Sequence, residues 1–300
     1  MTSSGSSIEN KALVVGGSGA VGSLFCDLLG EYHDTVVALD PQKSVLSSGN
    51  KTHYVQGSLG EKKCVELIKQ SRIVLLATPE APTLAHINDI ASLMTDKQCL
   101  IDTLSVKSRV CEILSNTKSV VEIVSINPMF GPSLGFDGQS LAYIPVRKGP
   151  IASQFLREIE NAGTQTVECS AESHDRMTAA TQATTHAAIL VLGMAFSKLN
   201  YKPSTAKSIW TPPHQTMLAM LARILNADPE VYRDIQESNP YAREARDVLT
   251  ESIGEFENTI NSPVAFNELF RSLKELVGDD EESLARQAQE IFESIKSPNN

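Results

Sequence analysis

Ala12-Leu13-Val14-Val15-Gly16-Gly17-Ser18-Gly19-Ala20-Val21-Gly22-Ser23-Leu24-Phe25 is the stretch that decides the fold. Its first four residues are apolar without alternation, as in a short strand covered on both faces. A G-x-G-x-x-G spacing follows at Gly17, Gly19 and Gly22, and an apolar pattern of helical period, Ala20–Leu29, follows that. Each glycine answers a separate demand in such a unit. Gly17 permits a tight turn, Gly19 lets backbone approach a pyrophosphate, and Gly22 lets the helix pack on the strand. The helix start offers N–H groups and a positive dipole end to the phosphates. Gly17, Ser18, Gly19, Ala20, Val21 and Gly22 are therefore the expected cradle.

Beyond the turn, a second strand candidate, Thr35–Leu39, runs into Asp40, eighteen residues after Gly22. A carboxylate there accepts both hydroxyls of an adenosine ribose and repels a 2′-phosphate, which points to NAD as the cofactor. Lys43 is a nearby cation that could hold such a phosphate instead. Thr78-Pro79 closes a further strand candidate, Ile73–Ala77, and is expected to line the cofactor, because loops at the carboxyl edge of a parallel sheet face the ligand crevice.

The same alternation continues. Leu100–Thr103, Val120–Ile126, Leu141–Val146 and Thr166–Cys169 read as strands; Glu61–Ile68, Pro82–Met94 and Ala152–Ala162 read as helices. The fold class is α/β, a Rossmann-type doubly wound sheet. Near Ser170 the pattern changes. His174–Leu199, Met217–Leu225, Pro229–Glu237, Ala242–Thr259, Val264–Leu276 and Glu281–Ile295 have helical spacing, with interruptions at Pro212-Pro213 and Asn239-Pro240. The chain divides into a nucleotide domain over 1–172, with residues 1–10 as a disordered tail, and an all-helical domain over 173–300.

A net charge of -10 without a Lys/Arg cluster argues against nucleic acid and anionic membranes as partners. An anionic substrate must then be met by locally placed cations. Five cysteines, an odd number with no C-x-x-C, read as reduced thiols of a cytoplasmic protein. Six histidines without paired ligand spacing give no reason to expect a metal. The first residues lack the apolar core of a secretory signal. The longest apolar run, Ala187–Phe196, is about half of what a membrane span needs, so a soluble protein is expected.

Three more segments carry chemistry: Asp102-Thr103-Leu104-Ser105-Val106-Lys107, Asn127-Pro128-Met129-Phe130-Gly131-Pro132, and Ser170-Ala171-Glu172-Ser173-His174-Asp175. The last opens the helix that carries Gln182 and His186, four apart and on one face. Taken alone these residues have plain explanations. Ser105 can cap a helix starting at Val106, Asn127 can cap a loop, and His174-Asp175 can cap a helix start. Lys107 can be a solvated charge, and His186 a satisfied core histidine.

In their order, and with the glycine turn before them, D-x-x-S-V-K, N-P-M-F-G-P and S-A-x-x-H-D make the chain resemble the prephenate dehydrogenase family over most of its length. The resemblance implies oxidative decarboxylation of a small cyclohexadiene bearing a carboxylate and a pyruvyl group on C1 and a hydroxyl on C4. Hydride leaves C4 for the nicotinamide, CO2 leaves C1, and the ring aromatises. It also implies Ser105 and His186 in the catalytic site with Gln182 beside them, and a homodimer formed through the helical domain. A fused chorismate mutase before residue 11 and a regulatory domain after the helices are not expected.

Two departures matter. The family motif begins with histidine, H-P-M-F-G, where this chain has Asn127. The arginine expected after the Pro-Pro pair is matched by Gln215, with His214 beside it. Gln215, His214 and Lys107 are therefore candidate substrate ligands, and Arg109, Lys207 and Arg223 are further cations. An amide cannot take a proton from a C4 hydroxyl, and base help is typically worth about 10²–10⁴ in rate. An amine at C4 removes that need, since its lone pair can expel the hydride while the Asn127 oxygen accepts an N–H bond. The residues thus fit 4-amino-4-deoxyprephenate, converted to 4-aminophenylpyruvate in a specialised aromatic amino acid pathway. Two readings stay open beside it: a prephenate or arogenate dehydrogenase of tyrosine biosynthesis with a displaced base, and a non-catalytic NAD(H)-sensing homologue. A 3-hydroxyacid dehydrogenase is disfavoured, because its catalytic lysine belongs on the first long helix, which has Arg176, His186 and Lys198 at its start, middle and end.

Overall fold

The structure, a computed structural model, describes residues 10–42 and 51–295. Lys43 and the expected tail up to residue 9 lie outside the described residues. The chain forms two compact units, Met1–Met177 and Thr178–Asn300.

The first unit is built on Lys11–Val15 (β1), Thr35–Asp40 (β2), Thr52–Gln56 (β3), Ile73–Leu76 (β4), Cys99–Asp102 (β5), Glu122–Pro128 (β6), Ser140–Arg147 (β7) and Gln165–Glu168 (β8). They form one sheet in the order β3-β2-β1-β4-β5-β6-β7-β8. Every neighbouring pair is parallel except β6 with β7. Alternate residues of each central strand enter opposite cores. Ala12, Val14, Ala38 and Leu75 pack with Phe25 and Phe155 on one side; Leu13, Val37, Val74 and Leu100 pack with Ile68, Ile87 and Val110 on the other. Burial of each valine, leucine, isoleucine or phenylalanine among them contributes about 1.5–3 kcal/mol, which is why the strands read as unbroken apolar runs. The helices that cover them are Ala20–Tyr32 (α1), Lys62–Gln70 (α2), Glu80–Leu93 (α3), Ser108–Ser115 (α4) and Pro150–Asn161 (α5).

Two elements escape the sequence patterns. β3, Thr-His-Tyr-Val-Gln, is an edge strand whose Tyr54 and Val55 are only half-buried against the two cores, so it shows no apolar run. α4 is only eight residues long and has no capping side chain of its own.

Strand order reverses between β2-β1 and β4-β5, and the turns after β1 and β4 meet at that switch point, where open α/β sheets bind ligands. β5 and β6 are adjacent and parallel, with Asp102 opposite Ser125, so the loops after them leave the same sheet edge.

From Ala171 the backbone is helical to Lys198: Ala171–Thr178 (α6), a π-helical turn Ala179–Ala183, and Thr184–Lys198 (α7). The second unit continues with Pro203–Ala206 (α8), Pro212–Leu225 (α9), Pro229–Glu237 (α10), Ala242–Thr259 (α11), Pro263–Val277 (α12) and Glu281–Ser294 (α13). Pro212-Pro213, expected to interrupt a helix, begins one: Thr211 caps α9, and proline suits a first turn whose N–H groups have no partner. Asp228 and Ser262 do the same before Pro229 and Pro263.

The buried apolar cluster of this unit is small, comprising Ala183, Ile235 and Ala242, while Met194, Ile209, Phe256, Phe270 and Leu276 are exposed. The run Ala171–Lys198 also has the length and mean hydropathy, 1.3, of a membrane span, with 22% of its best window buried. The apolar stretch within it is short, as expected, but the helix as a whole is long enough. It carries His174, Asp175, Arg176, Gln182 and His186.

Candidate active site

The glycine turn is built by contact. Gly16 has φ +82°, and a Cβ there would lie 2.4 Å from the carbonyl oxygen of Ala77. The left-handed residue of the turn is therefore Gly16, one position before the expected Gly17. Gly17 is small for a different reason, since a Cβ would come within 2.6 Å of the Ala38 Cβ on β2. Gly22 meets the turn itself, its Cβ falling 2.1 Å from the Gly16 oxygen. Gly19 is the N-cap of α1 and has no capping side chain, and a Cβ on it would touch only Gly16 O, at 3.3 Å. The protein thus leaves open the first turn at Ala20 and Val21, in the manner a pyrophosphate needs.

Asp40 ends β2 with one carboxylate oxygen accepting from Ser18 N–H at 3.1 Å and the other from Gln42 N–H at 2.9 Å. The Ser18 N–H, expected for the cradle, is engaged by Asp40. Thr78 follows β4 with its methyl 3.2 Å from the Cβ position of Gly16, and its hydroxyl is 2.7 Å from that of Thr83. Pro79 is the N-cap of α3. Glycine turn, Asp40, Thr78 and Pro79 thus form one edge whose donors and spaces fit a nicotinamide dinucleotide.

A second group lies where β5 and β6 end. Asn127 is 3% exposed, and its Nδ2 is 3.1 Å from Nε2 of His174. Nδ1 of His174 is 2.8 Å from Oδ1 of Asp175. That carboxylate also accepts from the backbone N–H groups of Lys107 at 2.9 Å and Ser108 at 2.8 Å. Asp175 therefore caps α4 rather than its own helix, and Ser105 is no cap, because α4 begins three residues after it. Ser105 is half-buried in the loop after β5.

Lys107 corrects the sequence reading most clearly. It is neither a solvated charge nor a substrate ligand. Its side chain is fully buried, with Nζ 2.9 Å from Asp102 Oδ1 and 2.5 Å from the carbonyl oxygen of Ile126. Its charge is spent inside the protein.

In the second unit, Gln182 lies in the π-helical turn and His186 on α7, both half-buried. The wide turn alters the simple four-residue phase between them. Gln182 Oε1 and His186 Nδ1 are buried and without a hydrogen-bond partner among the described residues. Burial, and then the charge of Arg223, lower the His186 pKa, and its ring packs edge-on against Tyr232 at 4.8 Å. Gln215 is half-buried in the first turns of α9. His214 is committed to packing: Tyr201 OH is 2.8 Å from its Nε2 and accepts from Trp210 Nε1 at 2.6 Å, with Phe196 alongside. Arg109, Lys207 and Arg223 are exposed.

Sequence reasoning missed the contact between His174 and Asn127. The S-A-x-x-H-D motif was visible, but nothing local says that its histidine meets a strand end 47 residues earlier. Among the described residues no group of three or more His, Cys, Asp or Glu could hold a metal. Burial pushes the Cys26 and Cys111 thiols up to about 12, so neither is a thiolate nucleophile.

Comparison with known proteins identifies the family. The prephenate dehydrogenase nucleotide-binding domain profile matches residues 29–142, and the prephenate dehydrogenase dimerization domain profile matches 170–275. A 4-amino-4-deoxyprephenate dehydrogenase of Streptomyces pristinaespiralis is 34% identical over 295 residues, covering 97% of this chain and 99% of that one. The prephenate dehydrogenase of A. aeolicus, solved with hydroxyphenyl propionate and NAD+, shares the fold with a TM-score of 0.64 at 19% identity, over 90% of this chain and 97% of that one. Synechocystis arogenate dehydrogenase does so with a TM-score of 0.62 at 19% identity, over 91% and 99%.

Proposed function

Since the chain belongs to the prephenate dehydrogenase family of pyridine-nucleotide-dependent oxidoreductases, we propose that it oxidises 4-amino-4-deoxyprephenate to 4-aminophenylpyruvate and CO2 with NAD. The observation that carries this reading is Asn127, an amide at the position where an alcohol-oxidising relative needs a base. The full-length likeness to a protein of that name supports it.

When bound at the glycine turn, the nicotinamide supplies the hydride acceptor. The remaining work falls to side chains. Asn127 Oδ1 has no protein partner among the described residues and can accept an N–H bond from a C4 amine. That bond orients the nitrogen lone pair toward C4. As the C4–H pair departs as hydride, the lone pair stabilises the carbon left behind. The C1–carboxylate bond then breaks, its electrons complete the aromatic ring, and CO2 leaves. An ammonium first gives its extra proton to water; the neutral amine then keeps both protons, as a C4 hydroxyl keeps its one in the product, so base help changes the rate and not the balance. A C4 hydroxyl would gain from a base, and His174 Nε2 is already bonded to Asn127.

Ser105, after β5, stands at the same sheet edge as Asn127 and is assigned to the C4 substituent. Gln182 and His186, each with an unpartnered buried polar atom, are assigned to the substrate carboxylates together with Gln215. Arg223 is the cation assigned to them in place of the missing arginine, since its charge is felt at His186. Asp40 favours NAD over NADP, the exposed apolar helices favour a homodimer, and five unbridged cysteines favour the cytoplasm.

The test is reduced-nicotinamide formation with prephenate, arogenate and 4-amino-4-deoxyprephenate in parallel. The amine is expected to give the highest kcat/KM. A preference for prephenate would refute the substrate, and binding of NAD without turnover of any of the three would favour a sensor.

A further inference from the structure

An amide has two ends of opposite meaning: its nitrogen donates and its oxygen accepts. Which end of Asn127 meets a substrate is decided one residue deeper. Nδ2 of Asn127 faces Nε2 of His174 at 3.1 Å, and an amide nitrogen cannot accept, so Nε2 must. The ring proton then sits on Nδ1 and is donated to Asp175, 2.8 Å away. Asp175 has little freedom to change. It accepts two backbone N–H groups at the start of α4, where a helix favours an anion. Burial pushes its carboxyl up, but hydrogen bonds from His174, Ser108 and the Lys107 backbone outweigh this and hold it below the usual carboxylate range. Asp102 and Lys107 form a buried ion pair beside this group and offset each other's charge. Asn127, His174 and Asp175 are all buried, which keeps water from substituting for any of these bonds.

We propose that His174 is a positioning residue for the reaction. As the Nδ1–H tautomer fixed by Asp175, it takes the NH2 of Asn127 and so presents the amide oxygen to the substituent on the carbon being oxidised. This rests on the reading that the substituent is an amine. The other ring state would reverse the arrangement. An Nε2–H would demand the amide oxygen, turning the NH2 of Asn127 toward the substrate and setting donor against donor. Substrate choice thus depends on a tautomer held by a residue that itself touches no substrate.

The ring nitrogen NMR shifts of His174 in the NAD-bound protein test this directly. A protonated Nδ1 and a bare Nε2 are expected, along with a widely separated pair of Asn127 amide protons whose separation narrows in His174→Leu. Nε2 found protonated at the assay pH overturns the proposal, whichever substrate the enzyme prefers. Kinetics give the second test. His174→Gln, which carries a donor and an acceptor, should keep kcat on the amine within about threefold, whereas His174→Leu should lose roughly tenfold or more in kcat with KM little changed. Equal losses in both variants, or a loss carried by KM alone, also overturn it. If His174→Leu does not fold, the ring shifts of the unaltered protein still decide. If the unaltered protein prefers prephenate, the amine reading falls, while the shifts still report the amide's orientation.

Discussion

The carboxylate of Asp40 accepts the backbone N–H of Ser18 at 3.1 Å, so the acid that ends β2 is also the clasp of the glycine turn after β1. Beside holding the cradle's shape, this side chain has the proposed duty of meeting the ribose. Asp40→Asn separates them, because the amide oxygen can still accept from Ser18 while the charge is gone. Bonds to a charged group are worth about 1.5–3 kcal/mol, so KM for NAD should rise about tenfold to a hundredfold. The preference for NAD over NADP should shrink as well, with the melting temperature unchanged. Steady-state kinetics with both coenzymes check this; an unchanged ratio removes Asp40 from cofactor choice.

Lys107 and Asp102 make a buried pair in which Asp102 Oδ2 has no hydrogen-bond partner among the described residues. Lys107→Met leaves that carboxylate without its cation and the Ile126 carbonyl without its donor. Removing one partner of a buried pair typically costs about 3–5 kcal/mol, while removing both is far milder. Urea unfolding should therefore show a large fall in midpoint for Lys107→Met and partial recovery in the double variant with Asp102→Leu. Two additive losses would mean that the pair is not coupled.

Much of the sheet was legible because parallel strands covered on both faces leave unbroken runs such as Ala12–Val15, and glycines that contact backbone tolerate no other residue. β3 was not legible, since an edge strand with half-exposed residues has no pattern to leave. In the site, Asp40 could be picked out from its place at a strand end after the glycine turn, and Asn127 only through the N-P-M-F-G-P motif of the family it resembles. Lys107 was misread because a lysine after a strand end looks the same whether its stem points outward or inward. His174 was undervalued because its role exists only through a long-range contact, and no local spacing encodes the fold's closure on Asn127.

His186 gives the stability a pH dependence whose sign can be worked out. Burial, and then Arg223, lower its pKa from the ordinary 6.5 in the folded state. The unfolded chain, titrating near 6.5, binds the proton first. Stability contributed by the neutral ring is thus present above the unfolded value and lost as pH falls from there through the folded value. His186→Phe keeps an aromatic ring against Tyr232 and removes the titration. Chemical denaturation between about pH 7.5 and about pH 5.5 should show a shallower decline in the variant. Parallel declines would show that this ring is not the group responsible.

Asn127→His turns the substrate argument into a reciprocal test. An imidazole at 127 can donate one N–H to His174 Nε2, as the amide does now. Its second nitrogen is then bare and able to take a proton from a C4 hydroxyl. Base help of this kind is typically worth about 10²–10⁴ in rate, so kcat/KM on prephenate should rise toward that range. The same nitrogen, once protonated, repels a C4 ammonium, and it replaces the acceptor that oriented the neutral amine. Activity on 4-amino-4-deoxyprephenate should therefore fall in the same variant that gains on prephenate. Measuring both substrates on both proteins yields a ratio that cancels differences in folded fraction. If that ratio stays the same, the residue at 127 does not select between nitrogen and oxygen at C4, and the selection falls to the other group proposed there, Ser105.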